Sequence, residues 1–312
     1  MTYLDFQELE VYMSQPEQLL QGQKYLGRQM KQFLRKHDRV IICFPASRDK
    51  RIGDILEGAV SETGADAMRI GPDYRWKTLL KIAFSSRASV IMAPPNVVLG
   101  LTKLAKATQT PLFIRHVLTA GYPCLDWMIE GIIKGLDCKT WGFFGFGTKP
   151  VVLGASCGRS LGVHLRTSEY GLELLDSEGK PVPDGQKGEI CFYSKRDPSV
   201  KFLQRDTARL EYAPCSCGDP SPRLMDIHVG PDLDQDVVNL GQELHSWTSI
   251  LDCRVRKGEY GLEIEAVIFP GEKLPQFPSC ARLEVRPWDP DRDVPFSFLA
   301  YWKNPTYYKE SD

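Results

Sequence analysis

The sequence predicts an α/β protein in three parts: a doubly wound, mostly parallel sheet, a zinc-stapled β meander, and a small carboxy-terminal α+β domain. Three observations support this. Short apolar runs alternate with amphipathic helical segments as far as residue 146, which is typical of a parallel sheet covered by helices. From residue 151 onward, only short strand patterns separated by turn residues follow. Four cysteine and histidine residues stand at the two ends of that strand-rich stretch.

The composition is that of an ordinary soluble globular protein. The chain has 312 residues, 42% of them hydrophobic, which is enough for a substantial core. A formal net charge of -1 gives no indication of a nucleic-acid or membrane partner. The amino terminus is neither basic nor apolar, and no apolar run approaches the ~18–20 residues that a spanning helix needs. We therefore predict a cytoplasmic protein, and the odd count of nine cysteines favours metal binding over disulfides.

The first half of the chain alternates between helix and strand. Residues 5–36 carry apolar positions at helical spacing, with Pro16 dividing two pieces. The next runs are short, apolar and bounded by turn residues, so they are predicted to be buried strands, and amphipathic helices separate them. The predicted strands are 39–44, 67–71, 88–93, 112–119 and 139–146, and the predicted helices between them are 52–63, 74–84, 97–107 and 125–135.

The second half divides at a predicted hinge over residues 230–234, where polarity rises. Before it, strands are predicted at 172–175, 189–194 and 208–212, with turn signals at 176–179 and 183–185. We therefore predict a large domain over 1–228, with its β-rich, zinc-stapled part at about 151–225, and a small domain over 229–312 that ends in a loose tail.

Cys157, His164, Cys215 and Cys217 form a candidate zinc site. Structural zinc takes four thiolate and imidazole ligands in a closed tetrahedron, and this set would leave no position open for catalysis. Pro214 and the glycine after Cys217 favour the turn that a C-x-C pair requires. The alternative interpretation is a buried Cys157, a surface His164 and an ordinary loop. The remaining cysteines, which we expect to be mostly core residues, are 43, 124, 138, 191, 253 and 280.

A second motif overlaps the first. Residues 154–158 read Gly-Ala-Ser-Cys-Gly and fit the nucleophile elbow of α/β-hydrolases, with Ser156 as nucleophile and Asp206 and His228 downstream. Such an elbow needs a helix after the serine, and residues 159–163 do not look like a helix start. We therefore treat the hydrolase as a distant alternative.

Several segments match, in order, the motifs of one enzyme family. They are 118–123 (LTAGYP, like "G-A-E-P"), 144–148 (FGFGT, like "Y-G-x-S/T-E"), Cys157 with His164, 179–190 (like "G-x-x-x-P-x-G-x-x-G-E-L"), 201–210 (like "R-Y-R-T-x-D-x-x-R-L") and 214–218 (PCSCG, like "P-C-P-C-G"). The chain resembles the phenylacetate–coenzyme A ligase and coenzyme F390 synthetase branch of the adenylate-forming enzymes over roughly residues 25–255.

This resemblance implies ATP-dependent activation of a carboxylate as an acyl-adenylate, followed by transfer to coenzyme A or another acceptor. It implies that Asp206 holds the ribose hydroxyls of ATP or AMP. It further implies a nucleotide contact from two strand ends, at Ala120, Gly121 and Tyr122 and at Phe144 and Gly145. Without the resemblance, Asp206 reads as a surface ion-pair residue and Ala120–Gly121 as a plain turn.

The departures from the family are at the catalytic motifs. No segment before Asp38 resembles the phosphate loop, whose backbone N–H groups hold ATP phosphates. Thr148 stands where the magnesium glutamate belongs, so magnesium is not expected, since a hydroxyl does not replace a carboxylate there. Pro231 replaces the hinge arginine. No lysine matches the catalytic one, and Lys303, a late lysine near aromatic residues that read as strand, is the candidate considered for that role.

Two functions remain open after these departures. The first is a ligase-like protein with impaired catalysis, or one that depends on a partner chain for the phosphate loop. The second is a non-catalytic, zinc-stabilised module that binds a nucleotide or another small molecule or serves in assembly, with a homodimer as one possible arrangement.

Overall fold

A computed structural model describes residues 2–3, 16–44, 50–70, 74–119, 126–146, 151–157, 162–168, 170–195, 197–228, 235–272, 276 and 280–295. Several predicted features lie outside these residues. They are the helix pieces before Pro16, the loop with Ala120, Gly121 and Tyr122, Thr148, the hinge at 230–234, and Lys303 with the tail.

The amino-terminal half is a five-stranded parallel sheet between two helical layers. Its strand order is β3-β2-β4-β5-β6. The strands are β2 (Arg39–Ile42), β3 (Asp66–Arg69), β4 (Val90–Ala93), β5 (His116–Thr119) and β6 (Lys139–Phe146), and the helices are α1 (Pro16–Met30), α2 (Lys50–Ser61), α3 (Trp76–Ser85), α4 (Pro95–Ala107) and α5 (Asp126–Leu136). This confirms the predicted α/β class with a mostly parallel sheet.

Both faces of this sheet are buried, which explains the continuous apolar runs of β2 and β4. Val40 and Ile42 pack with α1 and α2 in one core cluster. Ile41 and Cys43 point to the other face and pack with α3 and α4 in a second cluster. Alternate residues of a strand face opposite sides, so a run without polar interruption is needed where both sides are covered.

An antiparallel meander continues the same sheet beyond β6, in the order β7-β8-β12-β11-β10-β9. Its strands are β7 (Val151–Ala155), β8 (Val163–Leu165), β9 (Tyr170–Leu175), β10 (Lys187–Ser194), β11 (Asp197–Glu211) and β12 (Arg223–His228), and a short β1 (Thr2–Tyr3) pairs with β11. Gly154 permits the close approach of β7 and β8, because a Cβ atom there would lie 2.4 Å from the carbonyl oxygen of His164.

Two strand predictions differ from the structure. The strand predicted over 112–119 begins only at His116, and the strand predicted over 208–212 is the end of the 15-residue β11. The rest of β11 was missed because its register shifts twice against β10, which interrupts the alternation of apolar and polar residues.

The carboxy-terminal residues form one helix and a separate three-stranded sheet. These elements are α6 (Gln235–Ser246), β13 (Ile250–Gly258), β14 (Gly261–Ile268) and β15 (Arg282–Pro287), with strand order β13-β14-β15. This sheet packs against α6 through its own cluster, which includes Leu240, Leu244 and Ile264. Within the described part of the chain, no helix is long and apolar enough to cross a membrane.

Candidate functional site

The structure brings together the four predicted metal ligands at one end of the meander. Cys157 lies two residues after the end of β7, His164 lies in β8, and Cys215 and Cys217 lie in the turn between β11 and β12. Antiparallel pairing aligns these strands, since His164 lies opposite Ala155 of β7 and opposite Arg223 of β12. The four ligand atoms all lie within 4.8 Å of one another.

The distances between the ligand atoms suit a tetrahedral ion. The Sγ atoms of Cys157 and Cys215 are 3.6 Å apart, and Cys217 Sγ lies 3.3 Å from His164 Nε2. Zinc with ordinary bond lengths holds two sulfurs about 3.8 Å apart and a sulfur and a nitrogen about 3.6 Å apart. The donor set therefore fits zinc, with Nε2 as the nitrogen ligand.

Neighbouring groups hold these ligands in place. His164 Nδ1 lies 3.2 Å from Ser221 Oγ and 3.8 Å from Asp219 Oδ1, so its N–H has an acceptor while Nε2 faces the thiols. The backbone N–H of Cys217 donates to Cys215 Sγ over 3.5 Å, and that of Asp219 donates to Cys217 Sγ over 3.4 Å. Hydrogen bonds of this kind orient metal ligands and offset thiolate charge.

Burial makes a cation necessary if these thiols are to ionise. His164 is fully buried, and Cys157 and Cys215 are buried as well. Burial, assisted by the neighbouring thiols of Cys215 and Cys157 and opposed by the backbone N–H of Asp219, raises the pKa of Cys217 to about 11. Without a cation the thiol therefore stays protonated at pH 7, whereas a bound metal ion deprotonates a coordinating thiol.

The turn that carries the C-x-C pair has the predicted form. The N–H of Gly218 donates to the carbonyl of Cys215 over 3.0 Å, and Gly218 has a φ of +87°, which favours glycine. The alternative interpretation, a surface His164, is wrong because that residue is completely enclosed. The supporting residues Asp219 and Ser221 were not predicted, since nothing distinguishes them from other polar loop residues.

The residues that were predicted to contact a nucleotide lie outside the cysteine and histidine cluster, at positions where the strand pairing is irregular. In the β10–β11 pair, Glu189 faces Thr207 and Ile190 faces Gln204, so the register skips residues 205–206 and places Asp206 in a bulge. Asp206 is half-buried. A bulge bends its strand and redirects a side chain, and bulges are frequent beside functional sites.

Phe144 and Gly145 also flank a register shift, where β6 pairs with β7. Phe144 is buried in the core of the meander. Three strands, β7, β8 and β12, separate β6 from β11 in the sheet order, so sheet pairing alone does not bring Asp206 beside these two residues. The third predicted contact, the loop from Ala120 to Tyr122, directly follows β5 but lies outside the described residues.

The surroundings of Ser156 do not form a nucleophile elbow. Its Oγ accepts a hydrogen bond of 2.7 Å from the backbone N–H of Gly142, which ties it to β6. The next described strand, β8 from Val163, pairs antiparallel with β7. Because the elbow requires a strand followed by a helix, the hydrolase interpretation is wrong.

The parallel sheet continued by an antiparallel meander, with a small separate sheet after it, is the fold of the adenylate-forming ligases. The 2-hydroxyisobutyryl-CoA ligase in its postadenylation state with 2-HIB-AMP has a TM-score of 0.71, 13% identity, and a match covering 94% of this chain and 71% of that chain. The same ligase with 2-HIB-AMP and CoA in its thioesterification state has a TM-score of 0.64 at 14% identity, covering 81% of this chain and 58% of that one.

The anthranilate CoA ligase AuaEII with anthranoyl-AMP has a TM-score of 0.55 at 13% identity, covering 92% of this chain and 62% of that one. A scan against protein-family models and a search of curated proteins gave no match. At sequence identities of 13–14%, the structural similarity establishes the fold alone.

Proposed function

We propose that this chain is an adenylate-forming ligase-like protein of the phenylacetate–coenzyme A ligase branch that binds a nucleotide or an adenylate in the cytoplasm. The observation that carries this proposal is the match of 94% of the chain to a ligase holding 2-HIB-AMP. The position of Asp206 in a bulge of β11 supports its proposed role as the ribose ligand, because the carboxylate lies at a break in the strand's regular pairing.

We further propose that a structural zinc ion binds Cys157, His164, Cys215 and Cys217. All four positions are taken by protein ligands, so the ion would not act on a substrate. Its role would be to hold the turn before β12 against the β7–β8 hairpin. Helix α1 is attached to the same place, since Tyr25 Oη donates to the carbonyl of His164 over 3.1 Å.

Catalysis by this chain would require chemical groups that its sequence lacks. Adenylation needs groups that hold the triphosphate and stabilise the charge developing on the transferred phosphorus. The sequence before Asp38 lacks a phosphate-loop motif, and Thr148 replaces the magnesium glutamate. We therefore propose that a partner chain supplies the phosphate loop. The second candidate is a non-catalytic binding or assembly module, which the same two departures favour.

The test of the nucleotide site compares two aspartates on adjacent strands. Asp206→Asn removes the charge proposed to hold the ribose, whereas Asp226→Asn alters an exposed residue that pairs with Arg209 over 3.2 Å. Asparagine also tolerates the φ of +52° at position 226. A charge-assisted hydrogen bond contributes about 1.5–3 kcal/mol, so we expect Asp206→Asn to weaken AMP binding at least about tenfold.

The Asp226→Asn variant should bind AMP within about twofold of wild type. The readout is calorimetric titration of zinc-loaded protein, with unfolding curves confirming that both variants are folded. Equal AMP binding by both variants would remove Asp206 from the site. Robust ATP–pyrophosphate exchange by the chain alone, with aryl or acyl acids, would exclude the non-catalytic module and would also show that no partner is needed.

A further inference from the structure

The carboxy-terminal unit, defined here as the described residues between 235 and 295, with α6 and β13–β15, shares a hydrophobic core with the parallel sheet. Leu251, Val267 and Phe269 belong to the same buried cluster as Trp76 and the apolar face of α4. They are 1%, 2% and 8% exposed. Trp288 extends this contact, its ring centroid lying 6.3 Å from that of Phe269. Separating the two parts would expose all of these side chains to water.

A lysine fixes the centre of this contact. Lys103 of α4 donates from Nζ to the carbonyl oxygens of Trp247, over 3.2 Å, and Ile250, over 2.9 Å. The Trp247 carbonyl directly follows α6, where a positive charge also interacts favourably with the helix dipole, and Ile250 is the first residue of β13. The buried carboxylate of Asp252 contributes an attractive interaction with the same ammonium group. Moving the unit away would leave this charge and two carbonyls to be solvated anew.

A second anchor lies at the start of α3. The backbone N–H of Trp76, the first residue of that helix, donates to the carbonyl of Asp293 over 3.0 Å. The neighbouring Lys77 pairs with Asp291 over 3.1 Å. The Asp293 side chain is held in turn by Arg286, over 2.5 Å, and by the N–H of Asp289. Because the two anchors lie on different helices, a rotation about one of them would break the other.

We propose that the carboxy-terminal unit is fixed on the α3–α4 face and keeps one position whatever ligand the chain binds. The comparison ligase has been captured in more than one state, and its similarity to this chain covers more of the chain in the postadenylation state than in the thioesterification state. A fixed unit would restrict the chain to a single arrangement. Any transfer of an activated acyl group would then depend on groups brought by another molecule and not on movement of this unit.

Thiol labelling of a buried interface position tests this proposal. Val267→Cys places a thiol of similar size at a position that is 2% exposed within the shared cluster, and Tyr260→Cys places the reference thiol at a position in the same unit that is 85% exposed. A fixed unit allows labelling of Val267→Cys only through rare opening. We expect labelling at least about a thousandfold slower than at Tyr260→Cys, identified by mass spectrometry of the labelled peptide.

Two further substitutions test the lysine. In the Val267→Cys background, Lys103→Met should speed labelling at least tenfold, because it removes the hydrogen bonds to Trp247 and Ile250. The matched control Lys77→Met removes an exposed ion pair to the same unit and should change the rate less than threefold. The Val267→Cys measurement in the otherwise native chain decides the question even if Lys103→Met does not fold.

Labelling of Val267→Cys within about tenfold of the reference thiol would overturn the proposal. So would a clear acceleration on adding AMP, ATP or coenzyme A, since that would show a ligand-driven movement of the unit. The rate in the absence of ligands does not depend on nucleotide binding. Failure of the AMP titration would therefore leave this inference standing, and rapid labelling would leave the proposed nucleotide site untouched.

Discussion

Loss of one proposed zinc ligand should destabilise the meander. We choose Cys217→Ser, because Cys217 is the one ligand that is not fully buried, so its substitution disturbs packing least. The matched control is Cys191→Ala, which alters a completely buried cysteine of β10 in the same meander but outside the ligand set. The first variant tests coordination, and the second measures the cost of removing a buried sulfur.

The size of the effect follows from the loop that the ion closes. Cys157 and Cys215 are 58 residues apart in sequence. A cross-link that closes a loop of this length restricts the unfolded chain, and the lost conformational entropy raises its free energy by about 4 kcal/mol at 25 °C. A lost link of that size corresponds to a fall in Tm of about 10 °C. Cys191→Ala removes only one buried atom, so we expect a loss of about 1 kcal/mol and an unchanged metal content.

The assay combines metal analysis with thermal and urea unfolding followed by circular dichroism. We expect about one zinc per wild-type chain and per Cys191→Ala chain, and none in purified Cys217→Ser. A chelator should lower the Tm of wild type to that of Cys217→Ser and should leave that variant unchanged. The reasoning would be refuted if Cys217→Ser unfolded like wild type, or if well-folded wild-type protein contained no metal.

Three further predictions concern the neighbourhood of the site and the sheet. Gly154→Ala should lower the free energy of unfolding by several kcal/mol, measured in urea, because the added Cβ would lie 2.4 Å from the carbonyl oxygen of His164. Gly58→Ala is the control and should cost clearly less, because the nearest group there is the flexible end of the Gln23 side chain. Tyr25→Phe should cost about 1 kcal/mol by the same assay while zinc is retained, since the hydrogen bond to the carbonyl of His164 is lost but no ligand is removed. Burial, and then Arg115, lowers the pKa of His116 to about 4, so the folded state keeps this imidazole neutral. The contribution of His116 to stability should be complete above pH 6.5 and fall by about 3 kcal/mol towards pH 4, whereas a His116→Gln variant should lack this loss.

The sequence predicts best the elements whose residue pattern is determined by burial alone. The strands β2 and β4 are apolar without interruption because both faces of the sheet are covered, and both were predicted. The start of β5 was predicted too early because Leu112 and Phe113 look like strand residues. Phe113 instead lies exposed before the strand, with the guanidinium of Arg87 5.1 Å from its ring centroid.

The candidate metal site was predictable from ligand type and from the resemblance, whereas the residues that support its ligands were not. Thiol and imidazole ligands at both ends of a meander converge once the strands pair. The roles of Asp219 and Ser221 depend on the path of one turn, which their residue types do not reveal. The contact of Lys103 was not predicted, because a lysine on an amphipathic helix is normally expected to face solvent. Its hydrogen bonds to the carbonyls of Trp247 and Ile250 depend on the position of the carboxy-terminal unit.

The most direct measurement is a calorimetric titration of the zinc-loaded chain with AMP and, in parallel, with ATP. We predict that both nucleotides bind, with dissociation constants within about threefold of each other, because the proposed ribose ligand Asp206 is present but no phosphate-loop motif is found before Asp38. ATP binding at least tenfold tighter than AMP would show that the chain holds the triphosphate by itself and contradict the need for a partner. Absence of binding by both would contradict the nucleotide site and leave the zinc-stabilised assembly module as the function.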